Sequence, residues 1–557
     1  MSKRRSISLL HVVDRASSAL GRSSIFDDID FDYSHPWFLT AEERGNDSTR
    51  VRPWTDGNLC RPIVHGHNYF RVLQAHFDDA APGDMLLFTD WRGDPEQVLV
   101  DGGPTIAETL SAAARRGVVV RGLLWRSHMQ SLGYTGGKNS ALASAVEDAG
   151  GECVLDQRVL TFGSHHQKLV VLRSAHGPAG NVAFVGGLDL ARARRDDIHH
   201  QGDPLSRDFP PEYGDTPAWH DLQLEIRGPA VRDAEDTFRE RWEDPAALSR
   251  LPWHVVSDFV RRHRREPSTL PAQLPDPPTS GTCSVQLLRT YPRRRPKYPF
   301  APDGERSAAR AYAKALGRAE RLIYIEDQYL WSVDVARVFA RALKRSPELR
   351  MIVVVPRFLD DDSAITLPTS LLGHAKALDL LRAAGDDRVL VLDVENDDSV
   401  PVYVHAKVCI VDDVWAAVGS DNFNRRSWTH DSELTAAVVD EQRDPRAPVD
   451  PAGLGDGARV FARDLRLELL AEHLSRSTDD VADLIDPNAC FDAISDSVSR
   501  LDGWHDGGGR GDRPNGRLRL HDIDVPAKWK QFMFSVLYRL VVDPDGRPLR
   551  LRLTRRF

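Results

Sequence analysis

The chain has 557 residues, 41% of them hydrophobic and 28% charged, with a formal net charge of −9. That length allows two or three domains with ample apolar material for their cores, and the acidic balance removes the basic footprint that favours a nucleic-acid partner. No run of about 18 apolar residues marks a membrane-spanning helix, no signal peptide is expected at the N-terminus, and five scattered cysteines argue for a reducing compartment rather than a disulfide framework.

Residues 1–54 are polar and irregular and read as an N-terminal extension packed loosely on the core. A helix-then-strand rhythm then begins: helix 68–79 before strand 84–90, helix 105–116 before strand 118–125, and helix 140–149 before strand 152–155. A strand carrying His166 and a glycine turn come next. The insertion 189–219, rich in Arg, His, Pro and Gly, lies directly after that turn and reads equally as a lid or as a solvated surface loop. Helix 232–241 closes this half, and the five prolines of 267–278 read as a connector. The rhythm then repeats: helix 307–319 with strand 321–326, helix 335–345 with strand 349–355, helix 370–384 with strand 388–393, and a strand carrying His405. Three helix–strand units and one histidine strand in each half make an internal duplication, with right-handed crossovers and a mainly parallel sheet. Residues 459–475 read as a long amphipathic helix, 502–516 as a flexible loop, and 529–557 as a packed terminal element with an arginine cluster. The expected divisions are 1–54, 55–265, 266–300, 301–490 and 491–557.

Residues 405–413 read His-Ala-Lys-Val-Cys-Ile-Val-Asp-Asp, with Gly419-Ser420-Asp421-Asn422 after them. The β-branched surroundings predict a buried strand, on which positions i and i+2 share a face. His405 and Lys407 then point the same way beside a Gly-Ser turn. An imidazole, an ammonium, a hydroxyl and the Asn422 amide around one small volume suit a phosphate. A lone His-x-Lys carries little weight, but the pattern recurs as His166-Gln-Lys168 before Gly186-Gly187-Leu-Asp189. Each copy precedes an acidic residue that opens an alternating segment, Asp221 and Glu433 respectively.

With these residues the chain resembles the phospholipase D superfamily, whose mark is a duplicated His-x-Lys-x4-Asp motif followed by Gly-Ser or Gly-Gly. The second copy fits at His405, Lys407, Asp412, Gly419, Ser420 and Asn422, whereas the first carries Arg173 where the family has Asp. Ile323-Tyr-Ile-Glu326-Asp-Gln328-Tyr329, Trp219-His220-Asp221 and Ala471-Glu472-His473-Leu474 resemble segments of the eukaryote-type branch. The resemblance spans 55 to about 490. It implies an α/β fold of two similar βα-repeat halves, each a mixed, mostly parallel sheet flanked by helices, with the active site between the halves.

Two facing His-x-Lys pairs complete phosphodiester chemistry without a metal. One imidazole attacks phosphorus, and the other serves as acid and then as base. Lys168 and Lys407 hold the charged oxygens with help from the turns. Gly187, Asp189, Ser420, Asn422, Gln328 and Tyr329 form the expected phosphate- and substrate-binding set. Asp221 and Glu433 are the candidates to orient the imidazoles. The resemblance implies that His166 is the nucleophile, His405 the general acid, and Asp412 a structural anchor. No cofactor and no metal ligands are expected. The leading reading is a phospholipase D that releases phosphatidic acid and a head-group alcohol through a phosphohistidine. The alternatives are a phosphatidyltransferase similar to cardiolipin synthase, a nuclease or other phosphodiesterase, and a non-enzymatic phospholipid-binding module. The expected partner is phospholipid at a membrane surface, with no nucleic acid. The expected location is cytoplasmic and peripheral to a membrane, and the sequence is compatible with a monomer.

Overall fold

The computed structural model describes residues 31–127, 136–206, 209–261, 263–264, 266–360, 367–522, 538 and 542–554. Its first half holds β1 (Thr55–Val64), β2 (Met85–Asp90), β3 (Val119–Trp125), β4 (Glu152–Asp156), β5 (Leu169–Arg173), β6 (Val182–Gly186), β7 (Ala218–His220) and β8 (Leu222–Arg227). The second holds β9 (Cys283–Tyr291), β10 (Glu305–Arg306), β11 (Leu322–Asp327), β12 (Arg350–Val354), β13 (Val389–Glu395), β14 (Pro401–Val404), β15 (Lys407–Val411), β16 (Trp415–Gly419) and β17 (Glu433–Asp440), with β18 (Leu518–Leu520) added late in the chain.

Hydrogen-bonded order in the first sheet is β4-β3-β2-β5-β6-β8-β1. In the second it is β13-β12-β11-β15-β16-β17-β9, the same order and the same directions. Within each of these rows parallel pairing is confined to the first three strands, and the remaining neighbours are antiparallel. Even so, five of the seven strands in each row point one way. Antiparallel contact of β1 with β9 joins the two sheets. A second junction pairs β7 with β14 in parallel, placing Trp219 opposite Tyr403 and His220 opposite Val404.

Strands β2, β4, β5 and β6 are buried along their whole length, which requires cover on both faces. Alternation of side chains divides that cover. Leu86, Phe88, Val120 and Val170 pack outward against helices Gly66–Asp79, Ile106–Arg115 and Gly136–Asp148. Leu87, Leu123, Val171 and Val185 face a core shared with Tyr324, Ile352, Ile410 and Val418 of the second half. Helices Ala230–Trp242 and Val460–His473 contribute to the same core. Helices Ser307–Leu316, Val333–Arg345 and Leu367–Gly385 cover the second sheet's outer face. Thr105 starts one of the first half's helices with a reciprocal cap: its hydroxyl accepts from Glu108 N–H while the Glu108 carboxylate accepts from Thr105 N–H.

Several local expectations are corrected. Trp37, Phe38 and Leu39 are buried in the second half's core, so the described part of the N-terminal extension is not loosely packed. Residues 283–291, inside the predicted connector, form β9, the strand that joins the sheets. Helix Val460–His473 is buried nearly all round rather than amphipathic, because Arg463 and Arg466 pair internally with Asp413. Residues 502–506 of the predicted loop end helix Pro487–Asp506. Arg194, Arg195, His200 and Tyr213 bury much of the insertion. Most of the predicted terminal element 529–557 lies outside the described residues.

Candidate active site

His166 stands just before β5, and His405 stands just before β15. The backbone N–H of His166 donates to Ser432 O at 2.9 Å, and that of His405 donates to His220 O at 2.8 Å. Each histidine is therefore held by the opposite half, one residue before an acidic side chain. His166 Nδ1 lies 2.9 Å from Glu433 Oε2, and His405 Nδ1 lies 2.6 Å from Asp221 Oδ2. The pairing is crossed: the acid after the first motif serves the second histidine, and the reverse. With each Nδ1 engaged, Nε2 is the nitrogen each ring presents for chemistry.

The turns explain how the two acids reach their rings. A Cβ on Gly187 would stand 2.1 Å from Asp221 Oδ1, so only glycine lets that carboxylate approach. At the equivalent position of the second copy Ser420 has a side chain, and its hydroxyl donates to Glu433 Oε2 at 2.6 Å while accepting from Leu434 N–H at 3.0 Å. The Ser420 hydroxyl is thus engaged with Glu433. Asn422 is buried nearby, with no hydrogen-bond partner on its Oδ1.

Both lysines curl back onto the carbonyl of their own histidine. Lys168 Nζ donates to His166 O at 2.9 Å and stands 3.5 Å from Asp189 Oδ1. Lys407 Nζ donates to His405 O and, at 3.1 Å, to Gln328 Oε1. Asp189 is fixed in turn by the N–H groups of Trp91 and Arg92 at 3.1 and 3.3 Å. Gln328 donates to the hydroxyls of Tyr403 (2.7 Å) and Tyr329 (2.9 Å), and Tyr329 stacks on Trp331 with ring centres 3.9 Å apart. Gln328 therefore touches the lysine directly, and Tyr329 stands one residue further out.

Burial dominates the electrostatics. It pushes Glu433 up to about 8, with the neighbouring Asp431 adding to the shift, and it lowers Lys407 to about 8. His166 is held well below the ordinary imidazole range by burial, then by Lys168 and Lys407. His405 is held there by burial, then by Lys407 and Arg194. These are the environments in which a neutral imidazole and a nearby ammonium coexist, ready for an anionic ligand to supply the missing charge.

Asp412 lies outside this set. Its carboxylate accepts three backbone N–H groups, from Glu320, Arg321 and Leu322, each at 2.8 Å. It pins the turn after β15 to the start of β11. Arg173, at the matching place, faces Glu235 at 3.1 Å and donates to the carbonyls of Leu274 and Pro275 in the proline-rich stretch. Trp91, just after β2, meets His166 edge-on, with 6.2 Å between ring centres, and Arg194 of the insertion lies 3.9 Å over the Trp219 ring. Both are local neighbours only in three dimensions.

Residues 101–336 match the family described as Phospholipase D, and residues 312–444 match the one described as Cardiolipin synthase, PLD-like domain. The chain is 26% identical over 504 residues to phospholipase D alpha 1 of Vigna unguiculata, covering 67% of this chain and 61% of the relative. It is 26% identical over 402 residues to phospholipase D1 of Schizosaccharomyces pombe, covering 57% of this chain and 28% of that one. The chain thus spans less than two thirds of the length of these relatives. A solved phosphatidylserine synthase from Haemophilus influenzae is 12% identical, with a TM-score of 0.45, over 70% of this chain and 84% of that one. The chain belongs to the phospholipase D superfamily. Within it, the relatives place the chain in the eukaryote-type branch.

Proposed function

We propose that this protein is a phospholipase D-type phosphodiesterase that hydrolyses glycerophospholipid to phosphatidic acid and a head-group alcohol. The observation that carries the reading is the crossed pair of imidazole–carboxylate dyads with a lysine beside each histidine. A phosphodiester between the halves meets a nucleophile, a proton donor and two cations.

In this reading the bound anionic phosphodiester brings His405 into its protonated form, His166 Nε2 attacks phosphorus, the bond to the head-group oxygen breaks, and His405 gives that oxygen its proton. Water then attacks the phosphohistidine, His405 takes the water's proton, and phosphatidic acid leaves as His166 is freed. Exposure supports the order: the His166 side chain is 15% exposed and that of His405 5%, so His166 is the more reachable nitrogen base. Lys168 and Lys407 hold the equatorial oxygens. Glu433 and Asp221 keep the rings turned with Nε2 inward.

A lipid substrate requires contact with a bilayer. Among the described residues no helix is long and apolar enough to cross a membrane. Helix Pro252–Arg261 instead leaves Trp253, Val256, Phe259 and Val260 exposed beside the exposed basic groups Arg261 and Arg264, a composition that suits an anionic lipid surface.

The test uses mixed phospholipid vesicles with and without a primary alcohol. Wild type should form phosphatidic acid, and phosphatidyl-alcohol when alcohol is present, while His166→Ala and His405→Ala form neither. Cleavage of short DNA or another phosphodiester with no lipid turnover would overturn the lipid assignment. Binding of lipid with no turnover of any phosphodiester would favour a binding module.

A further inference from the structure

Behind the Asp221–His405 pair lies a second cluster that the proposed chemistry does not use. His65, His200, His220 and Glu472 come from the end of β1, the insertion, β7 and helix Val460–His473, and all four are buried. One ligand-capable atom from each lies within 4.8 Å of the others. The two Glu472 oxygens stand 2.9 Å from His65 Nε2 and 2.9 Å from His200 Nε2, and His220 Nδ1 lies 3.3 Å from the second of them. His220 Nδ1 points into the cluster without a hydrogen-bond partner, on a side chain that is 0% exposed.

We propose that this cluster is a binding site for one divalent transition-metal ion of the zinc class. Ring geometry supports it. Three imidazoles bound to one tetrahedral ion at about 2.0–2.1 Å place their ring centres about 5.2 Å apart. The three centres here are separated by 5.2, 5.5 and 5.7 Å, with interplanar angles of 82°, 74° and 63°. Unrelated packed rings have no reason to form so nearly equilateral a set.

Metal-bound histidines need a partner on the far ring nitrogen, and His220 has a carboxylate there while His200 has one nearby. His220 Nε2 lies 2.8 Å from Glu326 Oε2, and His200 Nδ1 lies 3.6 Å from Asp196 Oδ2. Charge agrees as well. Glu472, Glu326 and Asp196 bury three negative charges, two of which a dication offsets with every imidazole neutral. Three nitrogens and one oxygen favour zinc-class ions over calcium or magnesium, which take oxygen ligands. Two of the histidines have left-handed backbones, His65 at φ 70° and His200 at φ 53°, which is strain retained where a side chain must be aimed.

The consequence is positional. His65 N–H donates to Asp221 O at 2.9 Å, and His220 O accepts from His405 N–H. An ion here ties the first half, the insertion and the second half's helix together directly behind the dyad that holds His405. No substrate reaches it, so its role is to brace the dyad.

The experiment is elemental analysis of untagged full-length protein purified without chelator, and then cobalt titration of chelator-treated protein. About one equivalent of zinc-class metal per chain is expected, and added Co2+ should give the visible absorption of a tetrahedral nitrogen–oxygen site. Glu472→Gln and His200→Ala should each lower occupancy at least about tenfold. Chelation should lower the melting temperature of wild type, reversibly with Zn2+. Folded wild-type protein with less than about a tenth of an equivalent and no cobalt spectrum would overturn the proposal, leaving a network balanced by two protonated histidines. The wild-type titration decides even if a variant fails to fold, and it reads metal rather than turnover, so it stands apart from the phosphodiesterase reading.

Discussion

Arg173 and Asp412 occupy the same place in the two copies and carry opposite charge, yet the turns beside them are both stitched to the neighbouring strand. In the second half the carboxylate sits after β15 and accepts three N–H groups at the entrance to β11. In the first half the carboxylate has moved across the junction. Asp84, just before β2, accepts from Ala175 N–H at 2.8 Å and from Ala81 N–H at 3.0 Å. That exchange frees position 173 for a cation, which clamps Glu235 and the proline-rich stretch instead. The comparison teaches that this junction needs one buried carboxylate and is indifferent to which strand supplies it. The geometry of the candidate site is untouched because His166 and Lys168 lie at the other end of β5.

The largest effects test what the copies share. Removing either imidazole should lower vesicle turnover by about 10⁴-fold, and Glu433→Gln or Asp221→Asn by about 10²–10⁴-fold, since a misoriented ring loses most of its value. Equal losses from the two acids would show that the crossed dyads contribute alike. A much smaller loss from one would make it a bystander.

Next come the anchors that the copies do not share. Arg173→Ala leaves Glu235 buried without its ion pair and should cost about 3–5 kcal/mol in urea unfolding. Arg173→Asp, the family residue, should cost more than Arg173→Ala, because Asp84 already caps the junction and the new carboxylate would face Glu235. A variant of wild-type stability would show that the first half had kept room for the old anchor. Asp412→Ala strands three backbone N–H groups, that of Leu322 buried and those of Glu320 and Arg321 half-buried, and should cost about 3 kcal/mol, with little change in KM for the folded fraction.

Lys407 gives a smaller, pH-dependent effect. Burial lowers Lys407 from 10.5 to about 8, so its charge is present below that value and lost above it. The KM for phospholipid should therefore rise about tenfold per unit above pH 8, and Lys407→Arg should move that rise out of range. Stability runs the other way. Between about 8 and 10.5 the unfolded chain holds this proton more tightly, so the Lys407 contribution improves as pH rises through that window. The smallest effect is at helix Pro252–Arg261, with its exposed apolar residues: Trp253→Ser with Phe259→Ser should weaken vesicle co-sedimentation several-fold and leave turnover of a short-chain soluble lipid unchanged.

Much of this molecule is legible because its signals are local. Strand periodicity places His166 with Lys168 and His405 with Lys407, apolar helix–strand alternation gives the two halves, and the recurrence of both in order reveals the duplication. Arginines inside helix Val460–His473 were misread because a charge in sequence looks solvated, whereas Arg466 finds Asp413, 53 positions away. By itself, then, the sequence determined the repeat, the strands and the residue types of the candidate site. The tertiary structure alone decided that Glu433 turns toward His166 and Asp221 toward His405, and that His65, His200, His220 and Glu472 converge. Those choices depend on how two similar sheets dock through β1–β9 and β7–β14, and a docking angle leaves no periodic trace in the chain.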